Sequence, residues 1–83
     1  MNIPITKPLI DDKELKAVKS PLESGWLVQG PQVKQFEDMV AQYCSVPYAV
    51  ATSSCTSALH LSLLAAGIGS GAKVLVPSLT DVG

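Results

Sequence analysis

The stretch YAVATSSCTSALHL at residues 48–61 decides the fold of this chain. Its apolar start is typical of a strand and its hydroxyl-rich middle of a turn, and a helix then begins near Ser54 to Thr56. A helix N-terminus presents unpaired backbone N–H groups and the positive end of the helix dipole. Small side chains in the turn would let an anion approach, so the pattern indicates a phosphate site. The alternative is that Ser54 or Thr56 only caps a buried helix.

The residues that follow predict an α/β fold. We expect a strand over 47–52, a helix over 56–66 that is apolar on most sides, and a second strand over 73–77. A strand, a helix and a strand in this order indicate a βαβ unit in a mostly parallel sheet. Two strands do not complete a sheet that is covered on both faces. Residues 1–83 are therefore expected to be a partial segment of a larger domain.

Upstream, the sequence predicts an extended arm and two helices. Residues 1–10 form the arm, because its two prolines disfavour helix. A first helix covers 11–24, with Asp11 as its N-cap, and Pro21 should kink it or end it near Lys19. A second amphipathic helix runs from Pro31 to residue 44 or 45. We interpret its polar residues as a solvated face without chemistry; they are Gln32, Lys34, Gln35, Glu37 and Asp38.

Two aromatic or titratable side chains outside the turn invite a functional interpretation. Trp26 is the single Trp and lies in the loop 25–30 between two glycines, where it could contact a ligand or fill a gap beneath the loop. His60 follows the turn by one helical turn and is more typical of a hydrogen-bonded structural residue than of a catalyst.

Composition excludes several classes of function. The chain has 83 residues, a net charge of −1 and no basic patch, which argues against a nucleic-acid partner. No apolar run is long enough for a signal peptide or a membrane span, and two cysteines without metal-ligand spacing favour the cytoplasm. The chain is 47% hydrophobic but only 16% charged, which indicates a partner surface or a piece of a larger protein.

Four motifs in register support a family assignment. They are IPITKP at 3–8, SGWLVQGP at 24–31, AVATSSCTSALHL at 49–61 and VLVPSLT at 74–80. In this order and spacing, the chain resembles the opening of the DegT/DnrJ/EryC1/StrS aminotransferases. The resemblance implies the N-terminal part of the large domain of a fold type I enzyme that depends on pyridoxal phosphate, with an incomplete sheet.

The resemblance also implies a reaction and a set of site residues. The family transfers an amino group, usually from glutamate, to a keto sugar linked to a nucleotide, and its members are homodimers. Its phosphate-binding turn corresponds to Ser54, Cys55 and Thr56 here. Trp26 and Gln29 correspond to a family segment near the active site and are the candidates for substrate contacts.

The chain departs from the family pattern at three places. Cys55 replaces a frequent Gly and would resist a positive φ. Asp81 stands where an aromatic usually stacks on the pyridine ring, although a carboxylate cannot stack and would repel an anionic cofactor. The Schiff-base lysine and the Asp that pairs with the pyridine nitrogen lie far downstream in the family. None of the six lysines here has a matching context.

These departures predict a segment without transaminase activity of its own, which truncation or gene decay would explain. Two alternatives stay open at this point. One alternative is a small non-enzymatic module that binds a phosphate or a nucleotide. The other is an interface piece that completes the fold or the interface of a partner.

Overall fold

The computed structural model describes residues 1–81, and these contain three helices and no strand. Helix α1 spans Asp12–Ser24, α2 spans Pro31–Cys44 and α3 spans Cys55–Ala65. All three predicted helices are therefore present. Residues 1–10 lie outside the helices and are exposed, so the interpretation of this segment as an arm stays a prediction.

Helix α1 begins as its sequence predicts. The Asp11 side chain accepts a hydrogen bond from the Lys13 N–H at 2.7 Å, and Glu14 accepts the Asp11 N–H at 2.7 Å. Together these bonds satisfy donors that the first helical turn leaves without partners. The predicted helix over 11–24 is confirmed, with α1 continuing through Pro21 to Ser24, so that of the two outcomes predicted for Pro21 an end near Lys19 is wrong.

Gly25 rather than Pro21 ends α1. Gly25 adopts the left-handed conformation with φ 71° and donates its N–H to the Leu22 carbonyl. This conformation is easy for Gly because it has no Cβ to clash with the backbone. The Ser24 hydroxyl donates to the Pro21 carbonyl at 2.8 Å and so supports the last turn.

Helix α2 has a helix-compatible start and a strained end. Pro31 occupies its first turn, where the missing N–H costs nothing. Ser45 follows its last residue with φ 54°, and it is the single non-Gly residue with a positive φ among residues 1–81. Its N–H donates to the Gln42 carbonyl, so the cap is made although the residue type is unfavourable.

The predicted strands over 47–52 and 73–77 are not formed in the part of the chain that the structure describes. A strand exists only through hydrogen bonds to a neighbouring strand, whereas a helix bonds within itself. The two segments do not pair with each other. The apolar patterns therefore give no strand here, and the predicted βαβ unit is wrong for residues 1–81.

The helices do not enclose a core. Ala41 is the one buried residue in the described part, and its exposed fraction is 9%. The accessible surface is 8213 Å², against roughly 4,700 Å² for a folded monomer of this mass. The radius of gyration is 17.5 Å, whereas a compact domain of this length has about 12 Å. Helix α3, which is apolar on most sides, also has no buried residue.

Residues 1–81 contain no helix with the length and apolar character that crossing a membrane requires.

Two ion pairs lie on exposed helix surfaces. Lys19 approaches Glu23 at 3.6 Å and Lys34 approaches Asp38 at 2.8 Å, each one helical turn apart. Pairs of this kind contribute little to stability, because solvent screens exposed charges. The helices are therefore stabilised mainly by their own backbone bonds and caps.

The two helix ends with positive φ make a paired prediction. Ser45→Gly should stabilise α2 by about 1 kcal/mol, because Gly removes the Cβ clash of the left-handed conformation. Gly25→Ala should destabilise α1 by about 1 kcal/mol, since an added Cβ meets no atom within 4 Å and only backbone strain changes. Far-ultraviolet circular dichroism during thermal melting measures both effects. Equal melting of the two variants would contradict the prediction.

Candidate functional site

The start of α3 is built by hydroxyl side chains. Ser54 is the N-cap, with extended backbone at φ −160° and ψ 162°, and its Oγ accepts the Ser57 N–H at 3.1 Å. The same Oγ donates to the Ser57 Oγ at 3.0 Å. The Thr52 hydroxyl donates to the Ser54 carbonyl at 2.9 Å and closes the turn from the other side. The capping interpretation is therefore confirmed for Ser54.

Capping leaves two donors at this helix start. The Ala58 N–H donates to the Ser54 carbonyl and the Ser57 N–H to the Ser54 Oγ. The N–H groups of Cys55 and Thr56 have no protein acceptor among residues 1–81. Thr56 is exposed, and no described residue bonds its hydroxyl. We call these two N–H groups and the Thr56 hydroxyl the phosphate cradle.

Cys55 fits its position without strain. It is the first residue of α3, and its φ is not positive. The Gly that is frequent here in the resembling family is therefore not required by backbone conformation in this chain. The concern that Cys55 would resist the turn does not apply to the geometry observed.

A hydrogen bond of Glu37 connects helix α2 with the turn that precedes the cradle. Its Oε1 accepts the Ala51 N–H at 2.8 Å, in a partly buried position. The sequence interpretation of Glu37 as a solvated residue without a role is wrong. A signal was present: Glu37 lies four residues after Val33 and four before the buried Ala41, so it shares their helix face.

Gln29 and the turn share one cavity. Its lining consists of Gln29, Val33, Ala51, Thr52 and Ser53. The structure thus brings one of the predicted substrate-side residues to the turn that leads into α3. A second cavity on the other side of the turn is lined by residues 50–53 together with Ser57, His60 and Leu61.

Trp26 lies in a different place. Its indole N–H donates to the Gln29 carbonyl at 2.8 Å, and its ring covers Gly30 so closely that a Cβ there would lie 2.5 Å from the indole nitrogen. A pocket between the end of α1 and the start of α2 includes Trp26, Pro21 and Pro31 in its lining. Trp26 therefore stabilises the loop through these contacts, and it is still 57% exposed, so that a ligand could reach it.

His60 and Asp81 are the remaining candidates. His60 is exposed and has no hydrogen bond within the described residues, so the predicted structural hydrogen bond is not found. Asp81 is also exposed. In residues 1–81, no three His, Cys, Asp or Glu side chains are arranged to hold a metal ion.

Lys34 and Asp38 of α2 are paired on the exposed face of this helix. A hydrogen bond from Lys34 to Asp38, with the attraction between their charges, raises the pKa of Lys34 above its ordinary value. This lysine is thus held by Asp38 on its own helix. No lysine lines any of the cavities described above. The electrostatic attraction for an anion at the cradle therefore comes from the backbone of α3.

Comparison with known proteins identifies the family. The family model for the DegT/DnrJ/EryC1/StrS aminotransferases matches residues 8–83. The chain belongs to the DegT/DnrJ/EryC1/StrS aminotransferase family. It is also similar to the spore coat polysaccharide biosynthesis protein SpsC of Bacillus subtilis (strain 168), with 47% identity over 78 residues. This match covers 94% of the chain but about a fifth of that relative's length. No solved structure matches the chain.

The DegT family depends on pyridoxal phosphate, and the two ends of this cofactor fit the chain differently. The phosphate end fits the cradle, which offers donors that no described protein group accepts. Position 81 offers no aromatic ring to the pyridine end, and no lysine lines the two cavities beside residues 50–53. This DegT-family chain therefore offers donors suited to the phosphate of the cofactor.

The contact between Trp26 and Gly30 gives a test of the loop in this DegT-family segment. Gly30→Ala should displace the indole ring, because its Cβ would overlap the ring at 2.5 Å, and should break the bond to the Gln29 carbonyl. Trp fluorescence should then shift to longer wavelength and quench more readily with iodide. Gly69→Ala is the matched control, since a Cβ there meets no atom within 4 Å. An identical spectrum for Gly30→Ala and the parent chain would refute the contact.

Proposed function

We propose that this chain supplies the phosphate-binding part of the pyridoxal phosphate site of a DegT-family aminotransferase. One observation carries the proposal: the Cys55 and Thr56 N–H groups at the start of α3 have no protein acceptor in the described residues. These residues also lie within the segment matched by the family model. An unpaired helix N-terminus and small flanking side chains are the physical requirements for holding a phosphate.

The proposed role of each residue follows from its bonds. The N–H groups of Cys55 and Thr56 donate to phosphate oxygens, and the Thr56 hydroxyl adds a third donor. Ser54 shapes the cradle through its cap bonds to Ser57, so its hydroxyl is already engaged. Charge-assisted bonds from N–H to an anion are stronger than neutral ones, and the dipole of α3 adds to them.

The reaction proposed for the whole enzyme is amino transfer to a nucleotide-linked keto sugar. The similar protein SpsC is named for spore coat polysaccharide biosynthesis, in which such sugars are a suitable substrate class. When bound, pyridoxal phosphate supplies an electron sink for carbanion chemistry at the reacting centre. Gln29, which shares a cavity with Thr52 and Ser53, is the proposed substrate-side residue in this chain, with Trp26 on the same loop.

Deleting one N–H tests the cradle without removing the helix. Cys55→Pro removes that donor at the first helical position, where Pro is tolerated. Ser54 is already extended, as a residue before Pro must be. Inorganic phosphate should bind this variant roughly tenfold more weakly than the parent chain, because one charge-assisted bond is lost.

Cys55→Ala is the control for this experiment, since it removes the thiol and keeps the N–H. Titration with phosphate is followed by amide chemical shifts. The amide resonances of residues 55 and 56 should move in the parent chain and in Cys55→Ala. Equal phosphate affinity of Cys55→Pro and Cys55→Ala would reject the cradle as the binding site. Circular dichroism checks that both variants retain α3.

A second measurement asks how much of the cofactor this chain holds. If only the phosphate is bound, pyridoxal phosphate and inorganic phosphate should have affinities within about threefold, a difference of about 0.6 kcal/mol. Pyridoxal without phosphate should not shift the cradle resonances. Much tighter binding of pyridoxal phosphate would show that the ring is also held. Preferential binding of a nucleoside diphosphate would favour a non-enzymatic nucleotide-binding module.

A further inference from the structure

Glu37 makes a side-chain hydrogen bond between two segments that are distant in sequence. Its carboxylate reaches across 14 positions of sequence to the Ala51 N–H at 2.8 Å. Eleven other side-chain bonds join residues no more than four positions apart. The Glu37 side chain therefore helps to determine how two separate segments meet.

The bond between Glu37 and Ala51 lies next to the turn that leads into the cradle. Ala51 lies three residues before the N-cap Ser54, and both Glu37 and Ala51 are half-buried. The intervening residue Thr52 bonds the Ser54 carbonyl, so a fixed Ala51 fixes the start of that turn. Helix α2 provides a rigid base, because Glu37 lies in its middle turn.

We propose that Glu37 is a positioning residue for the phosphate cradle, a role that rests on the function proposed above. Its carboxylate holds the Ala51 peptide against α2 and so aims the first N–H groups of α3 at the anion. It does not touch the anion itself. A bare carboxylate near an anion would be repulsive, and the bond to a backbone donor offsets part of that charge.

The acidic neighbour of Glu37 serves a different role and provides the control. Asp38 bonds Lys34 at 2.8 Å on the exposed face of α2 and makes no bond to the turn. Asp38→Asn therefore changes one carboxylate on the same helix and leaves the Ala51 contact intact. Any effect of net charge alone should be the same for Asp38→Asn and Glu37→Gln.

Two variants of Glu37 separate positioning from charge. Glu37→Gln keeps an oxygen that accepts the Ala51 N–H, whereas Glu37→Ala removes it. The Ala51 amide proton should move upfield and exchange faster with solvent in Glu37→Ala, and should stay near its original values in Glu37→Gln. Inorganic phosphate should bind Glu37→Ala roughly tenfold more weakly, the equivalent of one hydrogen bond, and should bind Glu37→Gln at least as tightly as the parent chain.

The outcomes are distinguishable from failure of the proposed function. If the parent chain binds no phosphate, the cradle proposal fails, and the Ala51 amide still reports whether Glu37 positions the turn. If phosphate binds equally to the parent and to Glu37→Ala, the positioning role is overturned while the cradle stands. Loss of binding in Glu37→Gln also overturns it. Loss of structure in Glu37→Ala together with rescue in Glu37→Gln supports it.

Discussion

The need of backbone N–H groups for acceptors governs the structure of this chain. Helices satisfy that need internally, and all three form where their caps predict them. Residues 47–52 have no neighbouring strand to accept their donors. The Glu37 carboxylate accepts one of them, at Ala51, and thereby joins this segment to α2. Without that bond, no side-chain hydrogen bond in residues 1–81 would connect the region of α2 with the entry to α3.

The same need explains why the start of α3 suits an anion. Ser54 satisfies one donor of the first turn through its side chain and another through its carbonyl. The two earliest N–H groups then remain, and they face an exposed turn with small residues. Capping and anion binding, which compete as interpretations of the sequence, are compatible in the structure because they use different donors.

Local signals in the sequence predicted local structure well. The capping box at Asp11, the first-turn Pro31 and the cap at Ser54 each act within four residues, so their outcome depends little on the rest of the protein. The strands at 47–52 and 73–77 failed because strand formation depends on pairing partners, which an apolar pattern does not supply. The contact of Glu37 with Ala51 was not predicted, because a charged side chain usually faces solvent. Its spacing of four residues from the buried Ala41 places it on the same helix face as that residue.

Position 55 shows what the site requires of its residue type. A positive φ would favour Gly strongly, but Cys55 begins a regular helix and carries no such strain. The remaining constraint is room beside the first N–H groups, which a small side chain satisfies and a bulky one does not. Position 81 differs, since stacking needs a planar apolar ring and a carboxylate provides none. The departure at Cys55 is therefore compatible with the proposed phosphate cradle, whereas Asp81 offers no surface for stacking.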